Sequence, residues 1–324
     1  MNNFVKYCLE RGGCVKPLII PSELTNGTGL FNPSVFVDGN KIFVNIRHCQ
    51  YTLYHSELNK YEHQWGPLLY LNPENDITLT TTNYICVLND DLNISTFHKV
   101  DTSIFDKNPL WEFVGLEDCR MIKWDNKYYL SGVRRDVDTI GTGRMELSEI
   151  EISENSVIEI SRYRIPAPVP NESYCEKNWM PILDKPYHYI KWSNPTEVVK
   201  INIDEIFTET IHLKNERTFP YDPRGGSQVI PFKGGYLALT HITHLYRTES
   251  DRKNATYRHQ FIIWDENFNI VNTSKIFDFM SNKIEFSCGL AKYEQDYLIT
   301  FGVQDNSSFI LKLSETTLED FIND

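Results

Sequence analysis

Residues 115–134 read GLEDCRMIKWDNKYYLSGVR, with two carboxylates and a guanidinium, Glu117, Asp118 and Arg120, ahead of an alternating strand pair. A hairpin needs alternation and a turn, not three charges at its mouth. Comparable polar sets recur along the chain: Asn32 with Arg47, Lys177 and Asn178 with Trp192, Arg224, Ser227 and Gln228 with His241, and Glu285 with Asp305. A carboxylate can protonate a leaving oxygen or activate a nucleophile. Arginine and histidine can hold a phosphate or carboxylate. Asn and Gln can bind sugar hydroxyls, and an indole can cover a sugar face. Together these residue types suit glycosyl transfer. Each also has a plain reading. Glu117 and Arg120 can form a structural ion pair, Trp192 can be core, Lys177 beside Glu176 can be a solvated pair, and Asn32-Pro33 can start a turn.

The elements that would have to position these residues repeat. NPSVFVDGNKIFVNIR (32–47), residues 115–134, EKNWMPILDKPYHYIKW (176–192), RGGSQVIPFKGGYLALTH (224–241) and EFSCGLAKYEQDYLITFGV (285–303) share one layout. Polar residues lead into a short apolar strand, a turn, and a second strand rich in aromatic and β-branched residues. Period-two alternation marks the strands, and Gly, Asn or Asp supplies the tight turns. Segments between the units, such as NYICVLN and QFIIWDE, also read as strands, and only the tail TLEDFIND reads as a short helix. Five repeated strand clusters predict an all-β fold, a five-bladed β-propeller formed by residues 1–324 as a single domain with a short C-terminal helix. A β-sandwich is the alternative, and the five-fold recurrence disfavours it. In a propeller the entry ends of the innermost strands converge, so the polar sets would line one funnel.

Composition narrows the partners. The net charge is −12 and no dense Lys/Arg run occurs, which argues against nucleic acid. No apolar run has the roughly 18 residues of a membrane span, and MNNFVKYCLERGGCVKPLII lacks the pattern of a signal peptide. Seven cysteines, an odd number with no CxxC, fit reduced thiols in a cytoplasmic protein better than a disulfide framework or a zinc site. His241 and His244 are three apart on a strand and so face opposite sides, which disfavours a shared metal. No metal or cofactor is expected.

GLEDCR resembles the Gly-(apolar)-Glu-Asp-Pro-Arg motif of glycoside hydrolase family 130, the β-mannoside phosphorylases and hydrolases. FNPSVFVDGNKIFVNIR, GGYLALTH and EKNWMPI with HYIKW resemble further segments of that family, in the same order. EKNWMP, RGGSQ and the closing EFSCGL…ITFGVQD also resemble propeller modules of glycosyltransferases. The resemblance implies a five-bladed propeller that inverts the anomeric centre. Asp118 would be the general acid, acting through a sugar hydroxyl. Glu117 would shape the sugar subsite, Arg120 would orient the acid, Asn32 and Arg47 would bind sugar or the incoming group, and His241 would contact phosphate. Two departures stand out: Cys119 replaces the usual proline, and Lys191-Trp192 stand where phosphorylases tend to carry a phosphate-binding arginine. The second departure favours a glycosyltransferase acting on a mannose-like sugar over a β-mannoside phosphorylase or hydrolase. Inorganic phosphate, a sugar phosphate or a nucleotide sugar would then enter as substrate. In a hydrolase, Glu285 or Asp305 would activate water. A non-catalytic glycan-binding propeller and an interaction scaffold are the readings of other classes.

Overall fold

The computed structural model describes residues 3–50, 60–62, 69–71, 78–169, 173–214, 216–247 and 253–324. Its strands form five antiparallel blades around one axis. Blade I comprises Leu30–Asp38, Lys41–Cys49, Leu79–Leu88 and Ile94–Asp101. Blade II comprises Glu117–Trp124, Lys127–Arg134, Arg144–Ile152 and Val157–Arg164. Blade III runs through Met180–Pro181, His188–Ser193, Thr196–Asn202 and Phe207–Leu213. Blade IV has a divided inner strand, Arg224–Gly225 and Ile230–Phe232, followed by Gly235–Arg247, Lys253–Trp264 and Ile270–Thr273. Blade V joins the two ends of the described chain: Glu285–Tyr293, Asp296–Val303 and Ser307–Ser314 are completed by the N-terminal strand Cys14–Pro17. That pairing closes the ring without a free outer edge on the last hairpin.

The expected hairpin turns are present. Asp125-Asn126 and Lys233-Gly234 both have two consecutive positive φ values, 49° and 63° in the first and 47° and 77° in the second, the twist that suits a two-residue hairpin. Apolar residues alternate inward and pack between neighbouring blades. Trp124, Tyr129, Trp179 and Tyr189 fill the space between blades II and III, and Met180, Ile190, Ala238 and Ile262 that between III and IV.

The C-terminal helix, Glu315–Asn323, starts at Ser314, whose hydroxyl accepts from Thr317 N–H. A helix not expected from the sequence, Phe4–Leu9, is capped by the Asn3 side chain. Phe4 is fully buried, 4.5 Å from the Phe321 ring and 4.7 Å from that of Phe277. The two terminal helices therefore seal the same apolar cluster.

Candidate functional site

One irregularity repeats at the entry of three inner strands. In blade I, Phe31 pairs with Arg47 and Ser34 with Asn45. In blade II, Glu117 pairs with Val133 and Arg120 with Ser131. In blade V, Phe286 pairs with Gly302 and Gly289 with Thr300. Each inner strand carries one extra residue there, a bulge that re-aims the side chain on it. Asn32 and Asp118 occupy the first two bulges with φ of 47° and 51°, and Asn178 enters blade III at 61°. These left-handed conformations cost about 1–3 kcal/mol for a non-glycine residue and persist only where the surroundings hold them. Gly132 permits the second bulge, since a Cβ there would lie 2.4 Å from the Glu117 carbonyl oxygen.

The bulges bring Asn32, Arg47, Glu117 and Asp118 together. Asp118 Oδ1 accepts from Asn32 Nδ2 and from Arg47 Nη1, each at 2.8 Å. Arg47 Nη2 reaches Glu117 Oε2 at 3.2 Å, and Arg47 Nε donates to Thr81 Oγ1 at 3.2 Å. Burial alone would raise the Asp118 carboxyl. Arg47, the Asn32 amide and Arg120 outweigh it and hold the group below the usual carboxylate value. Asp118 is therefore ionised in the free protein. Glu117 Oε1 is buried without a hydrogen-bond partner, the state that a ligand hydroxyl would relieve. Asp305 joins the cluster from blade V. Desolvation, only partly countered by Arg47 and reinforced by Asp118 and Glu117, pushes it up to about 6.

Among the described residues Arg120 makes no ion pair with a carboxylate side chain. It is 1% exposed and donates to backbone oxygens: Nε to Gly226 at 2.7 Å, Nη2 to Gly225 at 3.2 Å, and Nη1 to Asp118 at 2.8 Å. Asn178 Oδ1 lies 3.5 Å from Nη1. The Arg-Gly-Gly sequence of blade IV is thus a bed of carbonyls for this guanidinium. The backbone approaches closely there, because a Cβ on Gly225 would stand 1.9 Å from the Asn178 carbonyl oxygen.

His241 stands on blade IV beside this cation. Its ring stacks on Tyr257 at 5.6 Å and meets Phe286 edge-on at 4.8 Å. Burial, then His259, Arg120, Arg224 and Lys177, drive its pKa well below the ordinary histidine value, so the imidazole is neutral at pH 7. Lys177 and Arg224 are exposed, and neither makes an ion pair among the described residues. The funnel is therefore divided. Glu117, Asp118 and Asp305, with Arg47, occupy the side of blades I, II and V. Lys177, Arg224 and His241 occupy the side of blades III and IV, with Arg120 beneath. Tyr257, which the sequence did not single out, feels both sides. Burial and the charges of Asp305 and Asp118 push its hydroxyl up, Arg224 opposes them, and it rests at about 12.

Several expected site residues have other employment. Ser227 is fully buried, donates to the Gln228 carbonyl and accepts from Leu239 N–H. Gln228 is fully buried beneath the funnel instead of lining it. Glu285, considered as a base, is fully buried and its carboxylate accepts from the N–H groups of Phe279, Met280 and Asn282. Trp192 is 43% exposed, and Lys191 Nζ lies 5.8 Å from the centre of its ring. No hydrogen bond or ring contact joins Trp192 to the Asp118 cluster among the described residues. Lys191 is buried between Glu197 and Glu176, at 3.2 and 3.9 Å, so its charge is neutralised. Arg134 is bound to Glu146 at 2.7 Å and to Asp136 at 3.4 Å. Among the described residues no cluster of His, Cys, Asp or Glu could hold a metal ion, and no helix is long and apolar enough to cross a membrane.

No family model and no curated protein sequence matches the chain. Solved structures do. The chain is similar to the β-1,2-mannobiose phosphorylase of Listeria innocua in complex with β-1,2-mannobiose, with a TM-score of 0.58 and 16% identity over 95% of this chain and 96% of that one. It is similar to MPT-4, a mannose phosphorylase from Leishmania mexicana in complex with phosphate, with a TM-score of 0.54 and 13% identity over 98% and 93% of the two chains. A third similar structure is described under the GH130 family of mannoside phosphorylases, which contains hydrolases that target β-1,2 mannosidic linkages in Candida mannan; its TM-score is 0.55, with 13% identity over 89% and 85%. The fold is that of the family 130 propellers.

Proposed function

We propose that the protein is an inverting β-mannoside phosphorylase. The observation that carries this reading is the divided funnel: a hydrogen-bonded carboxylate, Asp118, on one side, and on the other Lys177 and Arg224, which no carboxylate among the described residues neutralises. Phosphorolysis requires that pairing of an acid with an anion site, whereas inverting hydrolysis requires a second carboxylate on the far side to activate water. Glu285 is committed to backbone N–H groups, and Asp305 belongs to Asp118's own side. Lys177, Arg224 and His241 supply the anion contacts that the Lys191-Trp192 departure had put in question. The fold similarity to the Listeria and Leishmania phosphorylases supports phosphate as acceptor over the transferase reading.

In this mechanism a phosphate oxygen on the cationic side attacks C1 of the mannosyl unit. The C1–O bond to the leaving sugar breaks, and the leaving oxygen takes a proton that Asp118 delivers through a sugar hydroxyl. The products are α-mannose 1-phosphate and the shortened sugar. Asp118 is ionised in the free protein, so it must be charged with a proton first. Asp305, in the same cluster, is the carboxyl that carries one near pH 6.

Incubation of the protein with β-1,2-mannobiose and inorganic phosphate, with water alone, and with GDP-mannose plus mannose separates the candidate reactions by product. Mannose 1-phosphate is expected in the first mixture only. Asp118→Asn should bind mannose and form no product. Product formation from GDP-mannose alone would overturn the phosphorylase reading.

A further inference from the structure

The blades of a propeller radiate from the axis, so the axis-facing edge of each innermost strand has no neighbouring strand to pair with. Gln228 of blade IV supplies the partners. Its Nε2 donates its two hydrogens to Val35 O at 2.9 Å in blade I and to Met121 O at 2.8 Å in blade II, and lies 3.1 Å from Ser34 Oγ. Its Oε1 accepts from Leu290 N–H in blade V at 3.2 Å. Ser34 Oγ also accepts from Met121 N–H at 3.0 Å, which links blades I and II directly.

These attachment points have a common placement. Ser34 is the residue that closes the bulge of blade I, Met121 follows the residue that closes the bulge of blade II, and Leu290 follows the one that closes the bulge of blade V. One amide therefore clips the three strands immediately beyond the three irregularities, two of which carry Asn32 and Asp118. A side-chain amide suits the task, because it offers two donors to carbonyls and an acceptor to an N–H. A carboxylate would set its charge against two carbonyl oxygens.

We propose that Gln228 is a positioning residue: its axial clasp fixes the spacing between the inner strands of blades I and II, and so holds Asn32 and Arg47 against Asp118. Its contribution to turnover rests on the phosphorylase reading, in which Asp118 is the acid. A displacement of about 1 Å at a reacting group can cost about 10²-fold in rate.

The experiment compares native protein with Gln228→Met, which keeps the chain length and removes the amide. The ligand-free carboxyl groups are titrated by carbon-13 NMR, with Asp118 assigned through Asp118→Asn and folding checked by circular dichroism. The Asp118 midpoint is expected to rise by about one pH unit in the variant, as its Arg47 and Asn32 contacts loosen. Where native protein phosphorolyses β-1,2-mannobiose, kcat should fall about 10²-fold with KM nearly unchanged. A folded Gln228→Met protein whose Asp118 titrates as in the native protein overturns the inference, whatever its activity. A shifted Asp118 in a protein that never forms mannose 1-phosphate upholds the clasp and removes the phosphorylase reading instead. If Gln228→Met does not fold, Ser34→Ala decides: a smaller upward shift of Asp118 upholds the clasp, and an unchanged midpoint overturns it.

Discussion

At the scale of single residues, the state of each carboxyl group sets what the funnel can do. Arg47 keeps Asp118 ionised, so Arg47→Met should raise the Asp118 midpoint and lower turnover by at least about tenfold, read by carboxyl titration and steady-state kinetics. Asp305 behaves in the opposite sense. Its folded pKa of about 6 lies above the usual carboxylate value, so its protonated form is favoured by folding. Its contribution to stability is full below about pH 4 and is lost as pH rises through about 6. The same proton removes one negative charge from the funnel. Affinity for sulfate, an anion that does not titrate in this range, should rise as pH falls through 6, and Asp305→Asn should abolish that rise. Sequence made Glu117, Asp118 and Arg120 visible because a hairpin does not need three charges at its mouth, although Arg120 proves to tie blade II to the blade IV backbone. It misassigned Glu285, Ser227 and Gln228, because a buried polar side chain satisfied by backbone and one that faces a ligand have the same one-letter code. Tyr257 gave no signal, since an aromatic residue on a strand reads as core.

At the scale of elements, alternation and turn residues were enough to place the paired strands. The bulges were not legible: FNPS, EDCR and FSCG share no residue type that marks an extra position. They emerge only when both strands are seen in register. Gly132 lies opposite one of them, and Gly132→Ala should force the Glu117 carbonyl aside, costing about 1–3 kcal/mol in urea denaturation and displacing Asp118. The helix Phe4–Leu9 escaped notice because six residues are too few to establish a helical period. Its role follows from closure. Deleting residues 1–17 would remove that helix and the outermost strand of blade V, exposing the edge of Ser307–Ser314. The shortened protein is expected to associate through that edge, seen as a concentration-dependent rise in mass by light scattering.

At the scale of the whole molecule, we propose that the ring folds as one domain, so thermal unfolding followed by ellipticity and by tryptophan fluorescence should give one coincident transition. Acid should weaken it through a particular group. His259 is 1% exposed, neither ring nitrogen has a hydrogen-bond partner among the described residues, and burial lowers its pKa to about 3. The unfolded chain binds a proton that the folded one refuses, so stability falls as pH drops below about 6.5. Between pH 6.5 and 5 this one group should cost about 2 kcal/mol. His259→Leu should remove that part of the acid sensitivity, measured as the difference in urea unfolding free energy between the two pH values. The five-fold recurrence made the ring legible from sequence. The division of its funnel into an acidic and a cationic side was not, because Lys177, Arg224 and His241 come from different blades and no local pattern links them.

The central claim is that an anion sits on the cationic side, across from Asp118. Calorimetric titration of inorganic phosphate into native protein and into the Lys177→Ala/Arg224→Ala double variant tests it most directly. Native protein should bind one phosphate, and the variant should lose at least about tenfold in affinity, the effect of removing charge-assisted hydrogen bonds. Equal phosphate affinity in the two proteins, or none in either, would contradict the account.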